Sequence, residues 1–318
     1  MTARRILVLG APRAGTTWVA EVLGAHPHLE YVHEPDNEKI SLLAQIGKRH
    51  LDRFPRLEPG AEHGALAALW CAAFDRRAGR WWSTARLARA LAGPSWRSER
   101  LIARKEGHPA TPAGLRFGAN LIRALTALGG HTARGRVVKT VHAALCAEWV
   151  ARTVAPDAVV VALRSPYGVL ASLKRMHMPD AVRAGTIRPE VQEACLGRVV
   201  ASPDASYLTK ATAQLALLYR ALLAAHAKNP AWVLVRHEAL CLAPQVEFAG
   251  LVRAVGLPAN EAISSIVAQR DRPASGYTAA RVAADEVGKW RRELATEDVE
   301  AISLALDASG LTDWVETA

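Results

Sequence analysis

The chain has 318 residues, half of them apolar, with 40 Lys and Arg against 30 Asp and Glu for a formal net charge of +10. Length and apolar share suit a globular protein with a substantial core. The four scattered cysteines (Cys71, Cys146, Cys195, Cys241) argue against a disulfide frame or metal site, and the lack of an apolar run of roughly 18–20 residues argues against a bilayer span. The basic excess is dispersed Arg without aromatic-interleaved runs, which favours a small anionic ligand over a nucleic acid.

From the amino end, "RRILVLG" (4–10) is the first of five short apolar runs. The others are "LEYVH" (29–33), "RVVKT" (136–140), "AVVVAL" (158–163) and "AWVLVRH" (231–237). Runs that do not alternate with polar residues predict strands covered on both faces. Helical patterns follow at 15–25, 143–154, 166–176 and 244–255, and this alternation predicts an α/β fold, a doubly wound parallel sheet of about five strands. Its ligand is expected beyond the carboxyl ends of the strands.

The stretch 38–130 reads as a helical insertion broken at Pro55, Pro59, Pro94, Pro109 and Pro112. It carries Trp70, Trp81, Trp82 and Trp96, four of the nine tryptophans. Two readings stand for it, a subdomain with Trp in its own core or a lid that shapes an acceptor pocket. No repeat or linker divides the chain, so one domain over 1–318 is expected. With no apolar leader or anchor, a cytoplasmic protein is expected, and the cysteines, which lie in apolar stretches, are expected to be reduced core residues.

After the first strand comes "GAPRAGTTW" (10–18). Small residues let backbone N–H groups close around an anion, and the N-terminus of the following helix adds about half a positive charge. Arg13 stands inside the turn, and Thr16 and Thr17 open the helix. A nucleotide-hydrolysing loop would place Lys and then Ser or Thr where these threonines stand. A strand-ending Asp for Mg²⁺ is also missing, since "VVVAL" runs into Arg164 and "RVVKT" ends in Lys139 and Thr140. The anion is expected to be held by cations and hydroxyls, with no metal.

These segments resemble the sulfotransferases that use 3′-phosphoadenosine 5′-phosphosulfate (PAPS), above all the bacterial and Golgi-type branches. "APRAGTTW" (11–18) is similar to their 5′-phosphosulfate loop, and "VVVALRSPYGVLASLKRM" (159–176) to their 3′-phosphate segment. "VLVRHEAL" (233–240), "VEFAGLVRAVGLP" (246–258) and "GKWRREL" (288–294) follow in family order. The resemblance implies sulfuryl transfer from PAPS to an acceptor hydroxyl on a small molecule, glycan or lipid. It implies that Arg13 takes the catalytic basic position and that Ala14, Gly15, Thr16 and Thr17 cradle the 5′-phosphate. Arg164 and Ser172 would then grip the 3′-phosphate. Trp18 is a candidate neighbour of the adenine or a core residue, and Tyr277 and Arg281 are candidates on the nucleotide's far side.

Two residues compete as the general base. Glu34, after the second strand, matches the Glu that serves in the carbohydrate, tyrosine and bacterial branches. His142 follows the third strand, but Val141 separates it from the Lys-Thr pair that directly precedes the catalytic His of the cytosolic branch. Lys139 is a candidate for the sulfuryl oxygens. The competing readings are a kinase or NTPase with an atypical loop and a nucleotide-binding member without turnover.

Overall fold

The computed structural model describes residues 4–38, 41–74, 135–176, 188–270 and 283–311. Five parallel strands, β1 (Arg5–Gly10), β2 (Leu29–His33), β3 (Gly135–Thr140), β4 (Ala158–Leu163) and β5 (Val233–Arg236), lie in the order β2-β3-β1-β4-β5. The expected runs are all found. The last is shorter than 231–237, because the Trp232 N–H closes a turn onto Asn229 and a helix starts at His237.

The apolar runs form strands here because both faces of the sheet are covered. Successive side chains of a strand point to opposite faces. Leu7, Leu9, Val138, Val161 and Leu163 thus enter one core with the helices Gly64–Phe74, Ala147–Val154 and Tyr207–Lys228. Ile6, Val8, Val137, Val160 and Ala162 enter the other, with Thr16–Gly24 and Pro244–Ala254. From β1 the chain runs to β2 and β3 on one side of the sheet, then to β4 and β5 on the other. The carboxyl end of β1 therefore faces the crevice where the winding reverses, the usual ligand position in such sheets.

Of the 38–130 stretch, the helices Leu42–Gly47 and Gly64–Phe74 lie among the described residues, and Trp81, Trp82 and Trp96 lie outside them. Trp70 is a core residue, buried with Leu66, Leu69 and Phe74. Cys71 departs from the expected core role. It is exposed, because Leu66, Leu69, Trp70 and Ala73 mark the inner face of its helix and position 71 falls outside it. Cys195 is half-buried, Cys146 and Cys241 are buried, and all four are free thiols. Among the described residues, no helix is long and apolar enough to cross a membrane.

Candidate active site

The loop after β1 is shaped by close packing. A side chain at Gly10 would collide with the Thr16 methyl and lie 2.6 Å from the Ala162 carbonyl oxygen. Gly15 has φ 86° and caps the helix Thr16–Gly24; a Cβ there would stand 2.5 Å from His237 Nδ1. The Ala14 N–H closes the turn onto the Ala11 carbonyl, and the helix carries no carboxylate in its first turn. Its positive end therefore keeps unneutralised first-turn N–H groups, the arrangement that binds an anion. Thr16 is buried with its methyl against Gly10, and Thr17 is half-buried. Trp18 packs edge-on against Phe248 and His237, at 5.0 and 6.0 Å between ring centroids.

Arg13 and Glu34 have φ of 70° and 43°. For residues that carry a Cβ this left-handed conformation costs about 1–2 kcal/mol each. Two candidate functional residues thus sit among the three strained non-glycine positions of the described chain, the third being Ala155. Strain of this kind persists where the surrounding structure dictates it, and it concentrates at functional sites.

Glu34 lies one residue beyond β2, whose His33 is in register with Lys139 of β3. Its N–H donates to the Lys139 carbonyl at 2.7 Å, and Lys139 Nζ donates to Oε1. Asn37 Nδ2 donates to Oε2 at 2.7 Å, so both carboxylate oxygens are engaged. Burial alone would raise the Glu34 pKa, but the charge of Lys139, with His33, His142 and the Lys139 hydrogen bond, holds it far below the usual carboxylate range.

His142 belongs to a buried network beside this pair. Arg53 Nε donates to its Nε2 at 3.1 Å, so Nε2 is an acceptor and the ring proton resides on Nδ1, 3.9 Å from Asp36 Oδ1. Thr140 donates to the same Asp36 oxygen at 2.7 Å, and Lys48 Nζ lies 3.7 Å from Oδ2. The imidazole is 1% exposed and lies edge-on to Phe54. Burial drives its pKa well below the ordinary histidine value, and the cations Lys48, Arg53 and Lys139 add to that against an opposing pull from Glu34. The side chain is buried, and the Nε2 lone pair that a base would need is taken by Arg53.

On the other side of β1, β4 delivers Arg164 to the same edge. Its N–H donates to Tyr219 Oη at 3.1 Å, and the Tyr219 hydroxyl donates to its carbonyl at 2.6 Å. Gly168 leaves room for the guanidinium, since a Cβ there would approach Arg164 Nε to 2.9 Å. The helix Pro166–Arg175 begins next, with Pro at its first position and the Ser165 N–H donating to Glu238 Oε1 at 2.9 Å. Ser172, one turn and a half along, is 2% exposed and accepts from Arg13 Nε at 3.0 Å. The loop and the Arg/Ser segment, 159 residues apart, are thereby joined.

Tyr277 and Arg281 lie outside the described residues. Several groups escaped the sequence reading. Asn37 stands in the same "HEPDN" segment as Glu34, and a carboxylate followed three residues on by an amide was the available signal. Tyr219, Glu238, Arg53 and His237 had no local signal, because each meets the site through tertiary packing. The buried Nδ1 of His237 makes no hydrogen bond, and burial, with Arg164 and Arg13 nearby, pushes its pKa well down. Among the described residues, no cluster of His, Cys, Asp and Glu is arranged to hold a metal ion.

A glycine loop feeding a helix at the switch point of a parallel sheet defines a P-loop-type α/β protein. The family model described as "Sulfotransferase family" matches residues 5–298, and the chain belongs to that family. Solved structures resemble the chain at low identity. The sulfotransferase domain of the curacin biosynthetic pathway is 15% identical, with TM-score 0.50, over 96% of this chain and 98% of that one. The sulfotransferase domain of the Synechococcus PCC 7002 olefin synthase is 16% identical, with TM-score 0.45, over 96% and 94%. Mouse sulfotransferase SULT7A1, solved with PAP, is 9% identical, with TM-score 0.40, over 99% and 88%. Among curated proteins none matches the chain significantly by sequence.

Proposed function

We propose that this sulfotransferase uses PAPS as donor and an acceptor hydroxyl as substrate, with residues 1–318 acting as one catalytic domain and the 38–130 stretch shaping the acceptor side. The observation that carries the reading is the Arg13–Ser172 hydrogen bond. It joins the anion-binding loop to a second cationic patch at Arg164, as a ligand with both a 5′-phosphosulfate and a 3′-phosphate requires. The residues fit such a ligand. Gly10 and Gly15 let the loop pack closely against β4 and His237, and its helix end is not neutralised from within its first turn.

The donor supplies an activated sulfuryl group, and the remaining chemistry falls to the chain. Arg13 and the first-turn N–H groups neutralise charge that develops on the leaving 5′-phosphate. Arg164 and Ser172 bind the 3′-phosphate. Glu34 accepts the acceptor's hydroxyl proton, an assignment supported by its strained backbone and by the capture of the His142 lone pair by Arg53. Lys139 keeps Glu34 ionised at neutral pH, but a carboxylate so stabilised is a weak base. Proton acceptance therefore requires Lys139 to turn its charge towards the sulfuryl oxygens during transfer.

Binding tests the donor assignment. Adenosine 3′,5′-bisphosphate should raise the melting temperature without Mg²⁺, and AMP and ATP should do so far less. A ligand at 100 times its Kd stabilises by about 2.7 kcal/mol. Equal shifts with AMP would rule out a 3′-phosphate site.

A further inference from the structure

Arg164, the residue assigned to the 3′-phosphate, already has an anion on it. Glu286 Oε2 lies 3.4 Å from Arg164 Nη2, and both side chains are about nine-tenths buried, at 12% and 10% exposed. We propose that Glu286 is a resident competitor for the 3′-phosphate, paired with Arg164 in the empty site and exchanged for the phosphate when the nucleotide binds. It thereby sets both the affinity for the 3′-phosphorylated nucleotide and the rate of its release. This rests on the donor reading above.

Arg164 is the fixed member of the pair. Its peptide N–H and carbonyl are both held by the buried Tyr219 hydroxyl, and its guanidinium lies against Gly168. Glu286 is the member that can yield. It ends the short helix Ala283–Glu286, two residues before Gly288 with its φ of 72°. A second cation is at hand, since Lys289 Nζ donates to Glu286 Oε1 at 2.9 Å and is 29% exposed. Loss of Arg164 therefore leaves the carboxylate paired, and the exchange strands no buried charge, the outcome that would otherwise forbid it.

The contact is also weak enough to be displaced. At 3.4 Å it is longer than the roughly 2.7–2.9 Å of a charge-assisted hydrogen bond. A phosphate carries more charge and offers the planar guanidinium two oxygens at once. Space exists for the rearrangement, because a cavity of about 280 Å³ opens beside the pair, lined by Arg164, Gly168, Glu286, Gly288 and Trp290 among others. The functional consequence concerns turnover. Donor and product share the 3′-phosphate, so a site that bound it without opposition would also retain the product, and product release limits many enzymes. Glu286 opposes retention by reclaiming Arg164.

The test is a calorimetric titration of adenosine 3′,5′-bisphosphate and of AMP into the wild-type protein and Glu286→Gln at low salt. Glu286→Gln is expected to bind the bisphosphate about five- to tenfold more tightly, the usual size for two linked equilibria, and to release it correspondingly more slowly in stopped flow. AMP affinity should stay within about twofold, since AMP does not engage Arg164. In an Arg164→Gln background the same substitution should change nothing. Glu286→Ala, which keeps neither volume nor hydrogen bond, should move the bisphosphate affinity in the same direction. An unchanged or weakened affinity in Glu286→Gln would overturn the proposal and make Glu286 a support for Arg164. A wild-type protein that does not distinguish the two nucleotides would instead overturn the donor reading, and that outcome is visible without any variant.

Discussion

The two flanks of the loop differ in how their charges are satisfied. On the β3 flank Lys139 is bound to Glu34, Thr140 to Asp36 and Arg53 to His142, in one largely buried cluster where the ends of the adjacent strands β2 and β3 meet. On the β4 flank Arg164 meets Glu286 from 122 residues away, at 3.4 Å, on a helix of four residues. A buried pair is costly to break, because removal of one partner strands the other's charge. On the proposed reading the β3 flank holds its groups in place until transfer draws on the Lys139 charge, and the β4 flank exchanges partners as the nucleotide binds and leaves. On that reading preorganisation and ligand exchange fall on opposite sides of one strand.

The largest effect expected from this contrast is on the β3 flank. Glu34→Gln keeps size and can still accept from Asn37 but cannot take a proton, and loss of a general base costs about 10²–10⁴ in kcat. Cofactor affinity should stay nearly unchanged, and steady-state rates with binding data separate the two. His142→Asn should lower stability through the buried network and slow kcat far less; a reversed order would make His142 the base.

Next is the loop itself. Arg13→Ala should lower kcat by about 10²–10³, the usual cost of removing a donor aimed at a developing anion. The effect should appear in kcat more than in the donor KM, and a raised donor KM with kcat unchanged would make Arg13 a ground-state binder.

A smaller effect belongs to the β4 flank. Arg164→Ala removes a charged hydrogen-bond partner worth about 1.5–3 kcal/mol, so the preference for a 3′-phosphate over a 3′-hydroxyl should fall by about 10- to 100-fold. Calorimetry reads this directly, and an unaltered preference would move the 3′-phosphate elsewhere.

The smallest effect expected is in the pH profile. The Glu34 pKa is lowered in the folded protein, so its stabilising contribution is present above the unfolded value near about 4.3 and is lost as pH falls towards the folded one. The unprotonated base should persist in the same way, leaving kcat level from pH 7 to about 5. The His142 pKa is also driven well below the ordinary histidine value, so a level profile suits either residue and the base is decided by the substitutions above. Lys139→Met removes the main lowering charge and should move the acid limb upward, whatever its effect on the plateau rate.

How much of this was legible from the chain depends on the range of the interaction involved. Unbroken apolar runs identify strands with two covered faces, and a glycine turn with Arg and threonines ahead of a helix identifies an anion loop, because these patterns depend on neighbours in sequence. The five strands and the loop were visible for that reason, and Arg164 and Ser172 were singled out by resemblance to the family's 3′-phosphate segment. The different surroundings of Glu34 and His142 were not visible, because they depend on which nitrogen Arg53 occupies and on the burial of that cluster, and Arg53 lies 89 residues from His142. Cys71 was misjudged for a related reason, since an apolar stretch does not reveal which face of its helix meets the core. Sequence alone determined the sheet, its winding and the loop, because local periodicity and backbone geometry encode them. Tertiary structure alone decided that Lys139 would depress Glu34, that Tyr219 would fix Arg164 and that Glu286 would sit on it, because charge interactions and burial depend on distances the chain order does not contain.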